Sequence, residues 1–311
     1  MNTPRSRSVA LSLTAVLSAA ALAGCGNDPD PVASDPASTS EPSSTPESTD
    51  ATTEPTDPAE TTEPTQPATT TAAPVYFVGD TPMGPRLYRE FRQVEADNPY
   101  AEAVALMVAG DVVDPDYDSA YPDGRFASIE VDAEEGVILV EAADDGWNTP
   151  APGMTKAQAE LAVQQLVYTV QGIAQDRLPV RVWLGDPTNA VPLFGIDTAD
   201  GLTAADPLDV LALVNVTSPE EGTTVSDKFV ANGLASSFEA TVPWEIRQGD
   251  TVVLKGFSTA EGWMDKLYPW QSDVDVSGLA PGDYTFAAMT DDPSGGEGPG
   301  PFEDTKTITV E

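Results

Sequence analysis

The run Asp114-Pro115-Asp116-Tyr117-Asp118 sets carboxylates at every second position, the spacing of the first ligands in an EF-hand calcium loop. The motif then fails. Its sixth place is Ser119 and its twelfth is Arg125, where glycine and a bidentate glutamate are needed. The run therefore reads as a solvated acidic loop, and no metal ligands are assigned. Paired carboxylates could also serve a glycosidase, one as raised-pKa acid and one as base or nucleophile. With 51 Asp and Glu in 311 residues, however, pairs are inevitable and say little. The chain has no histidine, which removes the Ser-His-Asp triad, the Cys-His dyad, an imidazole base and a His-ligated zinc. One cysteine, Cys25, can close no intramolecular disulfide and build no thiolate cluster. A Ser-Lys nucleophile stays formally open, but no Ser-x-x-Lys occurs. There is no Walker loop and no Gly-x-Gly-x-x-Gly after a strand, so no cofactor is implied.

The most unusual segment is Glu261-Gly262-Trp263-Met264-Asp265-Lys266-Leu267-Tyr268-Pro269-Trp270. Trp263, Tyr268 and Trp270 could form a stacking platform for a sugar or a peptide, because aromatic faces bury large area at low entropic cost. The commoner use of such a ring is to fill a sandwich core, and that reading applies to Trp263 or Trp270. Glu239 is expected to pair with Arg247 across strands as a structural link.

These residues must be positioned by secondary structure, which the patterning outlines. Val75 to Val78 is a β-rich run, and Leu87 to Val94 reads as a strand, although Leu87, Phe91 and Val94 also fit helical spacing. Asn98-Pro99 opens a helix with Asn as N-cap and Pro at the first helical position, and Gly110 stops it. Phe126 to Val131 and Val137 to Glu141 are strands joined by Glu134-Glu135-Gly136. Thr155 and Gln158 form a capping box before a long amphipathic helix ending at Ala174. Pro179 to Leu184 alternates as a further strand. The order implies a small α/β sandwich with two helices on one face of a small sheet, over residues 75–193. A connector, 194–209, leads to seven short strands between Val210 and Val310 with no helix-length period, the pattern of an all-β immunoglobulin-like sandwich over 210–311. The fold class expected is thus α+β, in two modules.

The N-terminal region differs in kind. Arg5 and Arg7 precede an uncharged Ala, Leu, Val and Ser stretch, Val9 to Ala23, too short for a comfortable membrane span. It ends in Leu22-Ala23-Gly24-Cys25, which resembles the lipobox of bacterial lipoproteins. That resemblance implies a signal peptide over 1–25 and a diacylglycerol on Cys25, two chains sufficing for stable anchoring. Residues 26–74 hold ten acids, ten prolines and no Lys or Arg. With few apolar side chains to bury, this segment is expected to be a disordered tether. The remaining residues carry 41 acids against 12 bases, a net charge of −29 out of the −37 of the whole chain. That sign argues against nucleic acid or an anionic surface as a partner held by charge.

Two further resemblances follow from motifs. Val75-Tyr76-Phe77-Val78, the helix end Ala103 to Gly110, and above all Gln165-Leu166-Val167-Tyr168-Thr169-Val170 resemble the GerMN domain of sporulation and spore-germination proteins. Ser218-Pro219, Gly222, Gly233, Phe238-Glu239-Ala240, Trp244, Gly256-Phe257, Pro281-Gly282 and Tyr284 resemble Gmad2, an immunoglobulin-like domain found beside GerMN. Together they imply a non-catalytic lipoprotein on the extracytoplasmic face of the cell membrane, binding an envelope protein or a peptidoglycan component. The alternatives are a carboxylate-dependent peptidoglycan hydrolase and a small-ligand receptor with its pocket in the GerMN-like half.

Overall fold

The computed structural model describes residues 69–292 and 296–311. Cys25, the signal segment and nearly all of the tether lie outside the described residues. The described residues group into one compact unit, whose apolar side chains form two main cores.

The first core is built by β1 (Thr70–Gly79), β2 (Arg86–Glu95), α1 (Pro99–Ala109), β3 (Tyr117–Asp118), β4 (Phe126–Asp132), β5 (Val137–Ala142), α2 (Lys156–Ala174), β6 (Val180–Leu184) and β7 (Asp186–Ala190). The strands form two sheets, β2-β1-β3 and β4-β5-β6-β7, where a single sheet was expected. β3 is two residues long and pairs only with β1, so the ladder does not continue into β4. The 87–94 ambiguity resolves as strand, since β2 runs antiparallel to β1 along its whole length. That pairing also corrects the end of the tether. Thr70 to Pro74 face Glu95 to Phe91 in register, so β2 supplies backbone partners to residues whose side chains gave no strand signal. Likewise Asp186–Ala190, beyond the strand expected over Pro179 to Leu184, forms the edge strand β7.

Helix ends follow local chemistry. Thr155 Oγ1 accepts from Gln158 N–H, and the Gln158 side chain accepts from Thr155 N–H, a complete capping box. Gly110 closes α1 with a left-handed φ of 61°. Asn98 stands at the N-cap position without a side-chain capping bond, contrary to expectation. The Gln-Leu-Val-Tyr-Thr run earns its polar members by satisfying backbone. Buried Gln165 donates to Tyr76 O (2.9 Å) and accepts from Ala120 N–H (3.0 Å), Thr169 Oγ1 accepts from Tyr76 N–H (3.1 Å), and Tyr168 donates to Ala205 O (2.7 Å).

A short helical turn, α3 (Pro207–Val210), precedes the second core; its N-cap Asp206 accepts from Leu208 N–H at 2.9 Å. This replaces the start of the strand expected from Val210. The sandwich itself comprises β8 (Val214–Ser218), β9 (Thr223–Val225), β10 (Lys228–Ala235), β11 (Thr241–Gln248), β12 (Thr251–Thr259), β13 (Tyr268–Asp275), β14 (Gly282–Met289) and β15 (Glu303–Val310). Sheets β13-β10-β8 and β12-β11-β14-β15-β9 face each other over Trp244, Trp270, Phe286, Ile246, Val274 and Ile308. The β10 bulge falls at Asn232/Gly233, where a side chain on residue 233 would sit 1.9 Å from Asn215 O. Only glycine permits that approach.

Candidate functional site

Two places gather polar or aromatic chemistry. The first joins the two cores. β2 meets β8 and α3: Leu87 bridges Leu211, Ala212 N–H donates to Leu87 O (2.9 Å), and Arg86 donates to Leu208 O (2.7 Å). Beside this seam lies a buried charged cluster. Lys306 Nζ, on β15, contacts Asp114 Oδ2 from the loop before β3, Asp304 Oδ1 at 2.9 Å and Tyr117 OH at 2.7 Å. These three acceptors match the three protons of an ammonium. Asp304 also accepts from Tyr117 OH (2.6 Å), Val216 N–H (2.5 Å) and Asn215 Nδ2 (3.1 Å). Tyr117 stacks on Tyr88 at 4.8 Å, and Tyr88 donates to Glu303 O (3.1 Å).

The electrostatics follow from burial. The side chains of Lys306, Asp114 and Asp304 are 6%, 3% and 1% exposed. Burial pushes the Asp304 carboxyl up, against the pull of Lys306 and of its hydrogen-bond donors. Burial pulls the Lys306 ammonium down, and Asp304 and Asp114 more than offset it. Burial beside Asp304 and Asp114 puts the Tyr117 hydroxyl well above its ordinary range.

The acidic run of the sequence is therefore solvated only in part, with Asp116 and Asp118 exposed and Asp114 withdrawn. Asp114 is buried against Lys306, Asp116 accepts from Thr305 Oγ1 (2.7 Å), and Asp118 accepts from Ser119 N–H (2.7 Å). The carboxylates diverge, and among the described residues no group of three or more His, Cys, Asp or Glu could hold a metal. Sequence reasoning missed the joint because its partner residues stand nearly two hundred positions apart. The expected Glu239–Arg247 link is absent as well. Glu239 is exposed in a left-handed turn (φ 49°), and Arg247 instead pairs with Glu245 (2.8 Å) and Glu303 (2.6 Å).

The second module has eight strands where seven were expected, and Trp244 and Trp270 both lie in its core. Residues 213–297 match Gmad2, the immunoglobulin-like domain of bacterial spore germination. Among solved structures, the chain is similar to the tandem GerMN domains of the sporulation protein GerM from Bacillus subtilis, with 11% identity and a TM-score of 0.35. That alignment covers 67% of this chain and 62% of the other, so less than two thirds of GerM's structure is spanned. A fibronectin(III)-like module of CbhA from Clostridium thermocellum is 19% identical over 31% of this chain and 93% of that one, with a TM-score of 0.22. Neither structure is near enough to carry a conclusion about this chain. No curated protein matches it.

The second place of interest lies on the Gmad2 module, where the aromatic segment does not act as a unit. Trp270 is 3% exposed and fills the sandwich core, its Nε1 without a hydrogen-bond partner and close to where Gly233 leaves room. Trp263 is 44% exposed. Its ring meets Phe238 edge-to-face at 5.4 Å and 86°. Tyr268 is half-buried; its hydroxyl donates to Asp265 (2.8 Å) and its ring lies 4.7 Å from Lys266 Nζ. The platform in Gmad2 is thus Trp263, Phe238 and exposed Met264, with Trp270 withdrawn from it. Glu239, Ala240 and Met264 all hold left-handed φ (49°, 59° and 69°), a backbone cost of the kind found where loops serve recognition.

The N-terminal module offers a cleft of about 330 Å³ between α1 and β4, lined by Val104, Val108, Tyr121, Arg125 and Ile129. None of Asp114, Asp304 and Lys306 lines it. Among the described residues no helix is long and apolar enough to cross a membrane.

Proposed function

We propose that this chain is a non-catalytic protein of the bacterial cell envelope, held by a lipid on Cys25 to the extracytoplasmic face of the membrane, and that its Gmad2 module binds an envelope protein or a peptidoglycan component. The process is of the sporulation, germination or envelope-assembly type, in keeping with the match of residues 213–297 to the immunoglobulin-like domain of bacterial spore germination and with the GerMN-like motif. The observation that carries the reading is exposed Trp263 packed on half-buried Phe238, with exposed Met264 next in the chain, an apolar patch on loops of the sandwich. Around it the protein is strongly acidic, which favours a partner recognised by apolar and hydrogen-bonding contacts or by complementary basic groups.

Two assays test this. Fractionation of cells carrying Cys25→Ser should move the protein from membrane to soluble fractions; retention in the membrane would contradict lipid anchoring. Incubation of the Pro64–Glu311 unit with peptidoglycan should release no fragments. Release that a single carboxylate substitution abolishes would replace the binding role by hydrolysis.

A further inference from the structure

A primary amine and a carboxyl seated together in a buried pocket against an aromatic ring have a reaction open to them besides pairing as ions. We propose that Lys306 and Asp114 condense into a side-chain amide, an intramolecular isopeptide bond that ties the Gmad2 module to the N-terminal module, with Asp304 as proton relay.

The geometry supplies each part of that reaction. Lys306 Nζ lies against Asp114 Oδ2. Asp114 cannot swing away, because Glu90 holds its loop by accepting from Val113 N–H (3.0 Å) and Asp114 N–H (2.8 Å). The other carboxyl oxygen, Asp114 Oδ1, accepts from Asp116 N–H at 2.9 Å. That donor is placed to polarise the carboxyl and to hold negative charge developing on Oδ1. Asp304 Oδ1 stands 2.9 Å from Nζ, and Tyr117 OH touches both Nζ (2.7 Å) and Asp304 Oδ1 (2.6 Å). Lys306 Nζ also lies 4.6 Å from the centre of the Tyr117 ring, one wall of the pocket.

The steps balance. The Lys306 ammonium passes one proton to Asp114 Oδ2, giving a neutral amine and a neutral carboxyl. The nitrogen attacks Asp114 Cγ, forming the C–N bond while Oδ1 takes the charge beside Asp116 N–H. Asp304 removes a second proton from nitrogen and returns it to Oδ2, which leaves as water when the Cγ–Oδ2 bond breaks. The amide nitrogen keeps the third proton, Asp304 ends as it began, and no oxidant or co-reactant is needed. Fixed proximity replaces the encounter of two reactants. Condensation also removes two buried charges, whose desolvation an ion pair only partly offsets. The resulting link would span residues 114 and 306, a separation of 192 along the chain.

The test is a tryptic digest of the denatured full-length protein read by mass spectrometry. An amide at Lys306 blocks cleavage there. The expected product is peptide 93–125 joined to peptide 267–311, lighter than their sum by one water. Free 93–125 together with separate 267–306 and 307–311 would overturn the proposal. Because this reads the unmodified sequence, it does not depend on any variant folding. Asp304→Asn, which keeps the shape and loses the relay, should yield the separate peptides; a persistent linked peptide would overturn the role given to Asp304.

Discussion

Replacing Lys306 by methionine probes the joint most sharply when the reference is wild-type protein in which Lys306 and Asp114 are still ionic and not yet joined as an amide. The substitution keeps the length of the aliphatic stem and deletes the cation, leaving Asp114 and Asp304 buried side by side. At 2.9 Å and an effective dielectric constant of about 20, the attraction between Lys306 and Asp304 alone is about 6 kcal/mol. Desolvation opposes that figure, and removing one partner of a buried pair costs about 3–5 kcal/mol net. For a unit of this size the loss corresponds to about 6–20 °C in Tm. The pH dependence adds a signature. Burial raises the Asp304 carboxyl in the folded state. A group raised on folding contributes stability that is fully present below its unfolded pKa and lost as pH rises through its folded pKa. With the cation gone, only the hydrogen-bond donors Tyr117 and Val216 oppose that rise. The deficit of Lys306→Met should therefore be largest near neutral pH and shrink as pH falls towards the ordinary carboxylate range. Urea unfolding followed by tryptophan fluorescence at about pH 7 and about pH 5 measures both quantities. A loss below about 1 kcal/mol, the value of an exposed pair, or a deficit independent of pH would refute the reasoning.

Other expectations concern packing. Gly233→Ala drives a methyl into Asn215 O, so it should destabilise the sandwich by about 3 kcal/mol or more, or prevent folding; a near-neutral result in urea unfolding would contradict the bulge geometry. Trp270→Ala should cost about 3–5 kcal/mol as a core truncation, while Trp263→Ala should cost less than about 1 kcal/mol, and equal losses would mean the two rings are misassigned. Gln165→Leu strands Tyr76 O and Ala120 N–H, so a loss of about 1–3 kcal/mol is expected in the same assay.

Much of the architecture was legible because it is written in local signals. The α2 capping box, the Gly110 stop and the alternating runs of the sandwich each depend on neighbours within a few positions. The 70–74 strand and β7 were not legible, since their order comes from partner strands and not from their own side chains. The Asp114 run illustrates the same limit in chemistry. Its acidic composition predicts solvation, and only the return of β15 beside β3 brings Lys306 to it. The aromatic platform was half legible. Sequence spacing grouped Trp263, Tyr268 and Trp270, whereas the pleat of β13 turns Trp270 inward and the tertiary fold supplies Phe238 in its place.

The proposed binding role depends most heavily on the Gmad2 platform as a contact surface. A photo-activatable residue at position 263, in the full chain in intact cells, tests it directly, with position 156 on the exposed face of α2 as the control. A discrete adduct with one envelope protein or with peptidoglycan at 263, absent at 156, is the result expected. Only uncrosslinked monomer at 263, or the same adducts at both positions, would contradict the claim.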